Sequence, residues 1–275
     1  MSLRVNMARP GKIIEAEQRS SIQEVDGTLA GRLGRMSLGQ QVITLAIWPL
    51  LEQILSFMVN TVDLILATRM ADGDTRVAIM DALGLGGYAM WLMMILQGAV
   101  ATGVLAIVSR AAGARKPEEA RQGLVQGILA GLFMGILSGL IIRLSLPQII
   151  KIFGLSDAAS GYAFNYLSIL AWSCPFLGIF YACTNALRAI GDTRTPFFIM
   201  LFINMCNMIL SAAFVFLDPP LGGMGIAGLA WGSLLAWLLG TLVVVVLLSR
   251  KYKPESEEIT LTLRQANWTP QREMM

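Results

Sequence analysis

Residues 196–217 read PFFIMLFINMCNMILSAAFVFL and contain no Asp, Glu, Lys or Arg. A helix needs roughly 20 mostly apolar residues to cross the ~30 Å hydrocarbon layer of a bilayer, and this run is long enough. The composition agrees, because 55% of the chain is hydrophobic and 14% is charged, against about 25% charged in an average soluble domain. Mean hydropathy is +0.64. The sequence therefore predicts a membrane protein.

Further apolar runs of the same kind occupy most of the chain. The predicted spans cover residues 42–67, 82–108, 124–145, 161–187, 196–217 and 223–249. Residues 1–36 are polar and lack the short apolar core and small-residue cleavage site of a signal peptide. We therefore predict an all-α polytopic membrane protein. It has a polar N-terminal segment (1–36), a six-helix transmembrane lobe (37–249) and a polar tail (250–275).

The charges of the loops indicate the orientation in the membrane. Seventeen of the 21 Lys and Arg residues fall in the two termini and in the loops around 110–121 and 188–194, and four fall in the other loops. Lys and Arg near helix ends stay on the cytoplasmic side, so both termini are expected there, which requires an even number of spans. The net charge of +3 then reflects topology, and no nucleic-acid partner is expected.

Glycine and proline mark the expected breaks in the helices. Gly191 is typical of a helix C-terminus, and Thr195 is the expected N-cap of the next helix. Pro175 lies inside the fourth span and should kink it. Three glycines near the start of the second span predict a bend or a late start there: Gly84, Gly86 and Gly87.

Several classes of chemistry are excluded or disfavoured. The sequence has no histidine, which rules out His-ligated metals, haem and Ser–His nucleophilic catalysis. The cysteines lie in apolar stretches without a CxxC motif, and we interpret them as small buried hydrophobes: Cys174, Cys183 and Cys206. We expect no enzyme activity and no cofactor.

Ionisable residues inside apolar spans are functional candidates, because a charge at membrane depth costs several kcal/mol. The first span contains Glu52 and Asp63, which are about three helical turns apart and therefore on nearly one face. Asn60 precedes Asp63 by three residues, so its side chain should lie beside it. We predict that this face takes part in ion coupling. The alternative is that Asp63, near the end of the span, only reaches the membrane interface.

Polar residues in the fifth and sixth spans are further candidates. Asn207 and Ser211 are four residues apart on one helix face, and Ser233 follows a glycine-rich stretch. Such residues also hydrogen-bond helices together in lipid, which is the alternative role. Aromatic and methionine side chains suit organic cations, so Trp91 and Met94 are candidates for a substrate cavity together with Asn204. Most such side chains face lipid or pack between helices.

Four stretches together resemble a known family, the multidrug and toxic compound extrusion (MATE) transporters. Residues 49–70 (PLLEQILSFMVNTVDLILATRM) resemble the first helix, and 101–122 (ATGVLAIVSRAAGARKPEEARQ) resemble the end of the second helix and the next loop. Residues 187–216 (LRAIGDTRTPFFIMLFINMCNMILSAAFVF) and 222–237 (GGMGIAGLAWGSLLAW) resemble helices four to six. The resemblance implies one six-helix lobe of a two-lobe transporter that exports organic cations in exchange for Na⁺ or H⁺.

The resemblance also assigns residues to the coupling site. Asp63 falls on the acid of the first helix, with Asn60 beside it, and Asn207 falls on an asparagine of the fifth helix. Ser233 falls on a threonine of the sixth helix. Ser211 stands where the archaeal-type site has a second aspartate. The chain thus keeps one acid of two, and the coupling ion at Asp63 and Asn207 stays open between Na⁺ and H⁺.

We therefore expect a cation-coupled antiporter lobe for organic cations in the inner membrane. Residues 261–275 (LTLRQANWTPQREMM) resemble the linker between the two lobes, so a truncated or split half transporter is expected. A second lobe or a second copy of the chain would then cover the cleft face, because unpaired polar surface in hydrocarbon is costly. The alternatives are a non-transporting fragment or assembly subunit, or a flippase for lipid-linked substrates.

The predicted orientation can be tested with reporter fusions. Fusions after residues 190 and 250 should report the cytoplasmic side, and fusions near residues 72 and 155 the opposite side, because the positive loops stay inside. Equal signals at residues 72 and 115 would contradict the six-span topology, which assigns these positions to opposite sides.

Overall fold

The computed structural model describes residues 37–220 and 222–251, which form six long helices and no strand. All six are long and apolar enough to cross a membrane, which confirms the predicted all-α, six-span lobe. The predicted N-terminal segment, residues 1–36, lies outside the described part. So does the predicted tail, apart from its first two residues, 250 and 251. The helices are α1 (Leu38–Thr68), α2 (Gly73–Gly113), α3 (Pro117–Phe153), α4 (Asp157–Ala189), α5 (Arg194–Phe216) and α6 (Ile226–Lys251).

Helix α2 begins well before its predicted span. It begins at Gly73 rather than at residue 82, and its 41 residues measure about 61 Å, so its ends extend beyond the ~30 Å hydrocarbon layer. The helix begins eleven residues before the first of its three clustered glycines and continues through them, so the expected late start is wrong. At Gly86 the reason is packing, because an added Cβ would lie 2.7 Å from Cε1 of the Tyr166 ring on α4. This glycine makes room for a neighbouring aromatic ring.

The turn between α4 and α5 ends one helix and caps the next. Gly191 has φ +85°, and the Asp192 N–H donates to the Leu187 carbonyl at 2.9 Å, which is the Schellman arrangement expected at a helix C-terminus. Helix α5 then begins at Arg194, and the side chain of Asp192 accepts from the Thr195 N–H at 3.0 Å. The predicted cap at Thr195 is therefore wrong, because a carboxylate three residues earlier satisfies its N–H instead.

Helix α4 is interrupted at its middle, as Pro175 predicts. Two α-helical halves, Asp157–Leu170 and Cys174–Ala189, are joined by the 3₁₀ turn Ala171–Ser173. Pro175 lies in the first turn of the second half, where its missing N–H leaves no helical hydrogen bond unmade. The three cysteines are free, and Cys174 and Cys183 are fully buried as predicted, whereas Cys206 is only partly buried on α5.

A stripe of glycines along α3 contacts α2 at its first two members, Gly123 and Gly127, and brings the helix into direct contact with α4 at the other three. A Cβ on Gly131 would lie 2.4 Å from the Gly178 carbonyl oxygen, and one on Gly178 would lie 2.0 Å from the Gly131 oxygen. The two backbones therefore touch, as small residues permit in membrane helices. The four-residue spacing is visible in the sequence, which does not show what the stripe contacts. The stripe consists of Gly123, Gly127, Gly131, Gly135 and Gly139.

We predict that Gly131→Ala destabilises the lobe while Gly103→Ala does not. Both substitutions replace glycine inside a helix, which by itself favours the helix. Only the methyl group at position 131 meets a backbone, because nothing lies within 4 Å of a Cβ at Gly103. Overpacking of this kind costs about 1–3 kcal/mol. Thermal unfolding of the purified variants in detergent measures the difference, and equal midpoints would contradict the contact.

Candidate functional site

The carboxylate of Asp63 lies at the centre of a buried polar cluster. The residue is 2% exposed on α1, so its side chain points into the helix bundle rather than to the membrane interface. Ser233 Oγ donates to Asp63 Oδ2 at 2.8 Å, and Tyr166 Oη donates to the same oxygen at 3.2 Å. Ser211 Oγ donates to Oδ1 at 3.4 Å. Four helices therefore meet at one carboxylate.

Asn207 connects the members of this cluster. Its Nδ2 lies 2.9 Å from Ser233 Oγ, 3.3 Å from Ser211 Oγ and 3.4 Å from Asp63 Oδ1. Three acceptors thus compete for two hydrogens. The residue is fully buried, and its Oδ1 has no hydrogen-bond partner in the described part of the protein. A buried orphan acceptor costs about 1–3 kcal/mol, so this oxygen is a candidate ligand for a proton donor or a cation.

The groups that hydrogen-bond the Asp63 carboxylate are all uncharged. Among the residues that the structure describes, no Lys or Arg forms an ion pair with Asp63. Burying an ionised carboxylate without a counter-charge is costly even when it is hydrogen-bonded. The arrangement therefore favours whatever neutralises the carboxylate, which can be a bound proton or a monovalent cation. No group of three or more His, Cys, Asp or Glu side chains that could hold a metal ion occurs among the described residues.

Close helix contacts position the hydroxyl groups of the cluster. A Cβ on Gly232 would lie 2.3 Å from Ser211 Oγ, so α6 reaches α5 at this depth only because position 232 has no side chain. Tyr166 was not predicted from the sequence, and its ring sits against Gly86. The signal that could have identified it is a tyrosine hydroxyl within the fourth span, which needs a partner in apolar surroundings.

Two of the candidates on α1 lie apart from Asp63. Asn60, expected beside it, is instead exposed and lines a cavity, because three residues leave the two side chains about 60° apart around the helix axis. Glu52 is buried too, but Arg188 Nη2 binds its Oε1 at 2.6 Å. Eleven residues separate Glu52 from Asp63 by about 16 Å along the axis. The expected common face is thus divided into two polar centres.

A cavity of about 140 Å³ opens between α1, α2, α4 and α6. The predicted candidates Trp91 and Met94 both line it. Asn204, predicted to line it too, is buried elsewhere on α5, where its Nδ2 donates to the carbonyl of Met200 at 2.9 Å. Asn204 is therefore not among the residues that line this cavity. The polar and aromatic side chains lining the cavity include Asn60, Gln97, Trp91, Tyr181 and Trp237.

The fold and the site define a polytopic helical membrane protein with a buried, uncompensated carboxylate. A family model described as MatE matches residues 49–213, which is more than half of the chain. The chain therefore belongs to the MatE family, as the resemblance of its four stretches predicts.

Individual relatives are distant. The uncharacterized transporter YisQ of Bacillus subtilis is 20% identical over 205 residues, which cover 74% of this chain and 44% of that protein. The probable multidrug resistance protein NorM of Thermotoga maritima is 23% identical over 197 residues, which cover 71% of this chain and 42% of that protein. An FAD transporter of Shewanella oneidensis is 23% identical over 171 residues, which cover 62% of this chain and 38% of that protein. The chain spans less than half the length of these curated relatives.

Solved structures show the same fold. The crystal structure of a MATE in the bent conformation superposes with a TM-score of 0.67 at 20% identity, over 82% of this chain and 51% of that one. A MOP superfamily transporter from Pyrococcus furiosus superposes with a TM-score of 0.65 at 20% identity, over 82% and 50%. The six-helix lobe of this chain thus corresponds to about half of each neighbour.

The Glu52–Arg188 pair gives a stability prediction. Arg188→Met should leave a buried carboxylate without its partner and lower the free energy of unfolding by about 3 kcal/mol at most, since the arginine side chain is partly exposed. Glu52→Leu combined with Arg188→Met should recover much of this loss, because the isolated charge is gone. Thermal unfolding of the single and double variants measures both values. A double variant less stable than the single would contradict the interpretation.

Proposed function

We propose that this chain forms one lobe of a cation-coupled antiporter for organic cations, with Asp63 as the coupling residue. The observation that carries the proposal is the burial of the Asp63 carboxylate among neutral hydrogen-bond donors from three other helices. A charge held in this way marks a transport site more often than a structural one, because apolar packing would stabilise the bundle better. The mechanism is transport rather than catalysis.

The coupling step is a change in the charge of Asp63. A proton on the carboxylate turns an acceptor into a donor, and the unpartnered Oδ1 of Asn207 in the same cluster needs a donor. Na⁺ at Asp63 and Asn207 is the other ion that the cluster suits, since its oxygens are carboxylate, amide and hydroxyl oxygens. Either ion relieves the cost of burying the charge and shifts the equilibrium between two conformations of the lobe.

The cavity between α1, α2, α4 and α6 is the proposed substrate site. Trp91, Tyr181 and Trp237 offer aromatic faces, which attract organic cations. No Lys or Arg is among the described residues that line it, so an anionic cargo, such as the FAD of the Shewanella relative, would find no counter-charge. The neutral, aromatic lining also disfavours the alternative of a flippase for lipid-linked substrates.

We further propose that a second six-helix lobe completes the transporter in the inner membrane, with both termini cytoplasmic. The support is that the neighbours are about twice as long as the aligned lobe, and that most side chains of α1 are exposed. A separately encoded lobe or a second copy of this chain could supply the missing half. A non-transporting fragment or assembly subunit is the second candidate, favoured by the same difference in length.

We predict that Asp63→Asn abolishes ion-coupled efflux without loss of expression. The amide keeps the size of the side chain but can neither bind a proton nor supply the charge for Na⁺. Ethidium efflux from cells that express the chain measures the effect, with external Na⁺ and pH varied separately. Dependence on pH alone identifies H⁺, and dependence on Na⁺ at constant pH identifies Na⁺.

Asp81→Asn is the matched control, because Asp81 is an exposed acid on α2 and should leave efflux unchanged. Normal efflux by the Asp63→Asn variant would contradict the role of that residue. Absence of ethidium efflux by the unmodified chain, with expression confirmed, would favour the non-transporting alternative.

A further inference from the structure

A narrow groove of about 80 Å³ lies on the outer surface of the bundle, between α3 and α4. It shares no lining residue with the cavity described above. Its lining is almost entirely apolar apart from one guanidinium group. The residues that form it are Ile136, Gly139, Leu140 and Arg143 on α3, and Ala171, Trp172 and Pro175 on α4.

Arg143 is an exposed cation on a surface that should face lipid. It lies two residues before the end of the predicted span 124–145, close to the expected membrane interface, and α3 continues beyond it to Phe153. A charge at this depth is costly unless its side chain reaches the headgroups or finds a partner. The aliphatic stem of arginine is long enough to bring the guanidinium to the level of the lipid phosphates.

The guanidinium group is only partly satisfied by the protein. Its central carbon lies 5.0 Å from the ring centroid of Phe164 on α4, so one face is covered by an aromatic ring. No carboxylate of residues 37–220 or 222–251 forms an ion pair with it, whereas Arg76, Lys116, Arg121 and Arg188 all have acidic partners. The N–H edge of Arg143 therefore remains available to a group from the membrane.

Trp172 forms a wall of the groove. It is 68% exposed and lies in the 3₁₀ turn at the middle of α4, whereas membrane tryptophans are usually found near the ends of spanning helices. The floor of the groove is backbone, because a Cβ on Gly139 would lie 2.7 Å from the Ala171 carbonyl oxygen. From Ile136 to Arg143 the groove runs about 10 Å along α3, from the middle of the membrane toward one interface.

We propose that this groove binds a single glycerophospholipid, with one acyl chain against Trp172 and the phosphate diester on the guanidinium of Arg143. A phosphate accepts two parallel N–H bonds from arginine, and it supplies the negative charge that the protein does not. The apolar length of the groove suits an acyl chain and not a free phosphate ion. The lipid comes from the leaflet on the side of the α3–α4 loop.

Quenching of tryptophan fluorescence by a lipid brominated in its acyl chains tests the proposal on the full chain in mixed micelles. Brominated phosphatidylglycerol should quench Trp172, and the difference between the unmodified protein and Trp172→Phe isolates that signal. Arg143→Gln should raise the half-saturating lipid fraction about fivefold, as expected for loss of one basic residue at a membrane surface. Arg143→Lys should give an intermediate value, because it keeps the charge but loses the planar fork.

Lys151→Gln is the matched control, since Lys151 is an exposed cation on the same helix outside the groove, and it should not change the titration. Brominated diacylglycerol, which has the chains but no phosphate, should bind as weakly to the unmodified protein as phosphatidylglycerol binds to Arg143→Gln. Equal titrations of the unmodified protein with the two lipids would mean unspecific contact with bulk lipid and would overturn the proposal. An unchanged titration for Arg143→Gln, in protein whose unfolding midpoint is also unchanged, would overturn it too.

Discussion

An anionic side chain inside an apolar helix bundle must be satisfied by the bundle itself, and four helices here meet at the carboxylate of Asp63. Hydroxyl groups of Tyr166, Ser211 and Ser233 converge on it from α4, α5 and α6. Within the described residues none of these partners carries a positive charge, so the cluster tolerates the charge without neutralising it. This distinguishes Asp63 from Glu52, whose carboxylate is paired with Arg188. The first carboxylate is therefore the one that we propose for the exchanging cation, and the second is held in an ion pair.

The convergence is made by glycines, because hydroxyl side chains are short and require close helices. Gly232 lets α6 approach Ser211, and Gly86 accommodates the ring of Tyr166. Glycines also join α3 to α4, where the backbones at Gly131 and Gly178 are in direct contact. Small residues at helix contacts are the usual means of packing in lipid, where the hydrophobic effect does not drive helices together. In this lobe they also determine the distances within the polar cluster.

The sequence predicts the fold well because each transmembrane helix carries its own signal of length and apolarity. It also identifies polar residues inside the apolar runs as candidates for a functional site, because such residues are rare there. These are Asp63, Asn207, Ser211 and Ser233. Hydropathy and periodicity describe one helix at a time and do not give the partners across helices. Tyr166 was missed for that reason. Periodicity along α1 likewise suggested a common face for Glu52 and Asp63, although the first is paired with Arg188 near the end of α4 and the second bonds Tyr166 in the other half of that helix.

The lobe combines two kinds of helix contact that respond differently to a bound ion. Backbone contacts such as that between Gly131 and Gly178 have one favourable geometry, and no charge enters into them. The contact of α1 with Ser211 and Ser233 consists of hydrogen bonds to a carboxylate, and these must be remade when a cation reaches Asp63, because acceptors and donors then exchange roles. The contact of α5 with α6 at Gly232 does not involve that charge, whereas the hydrogen bonds from Tyr166, Ser211 and Ser233 to Asp63 do. The proposed coupling site and the glycine contacts are therefore built from different interactions, which would allow one to change while the other persists.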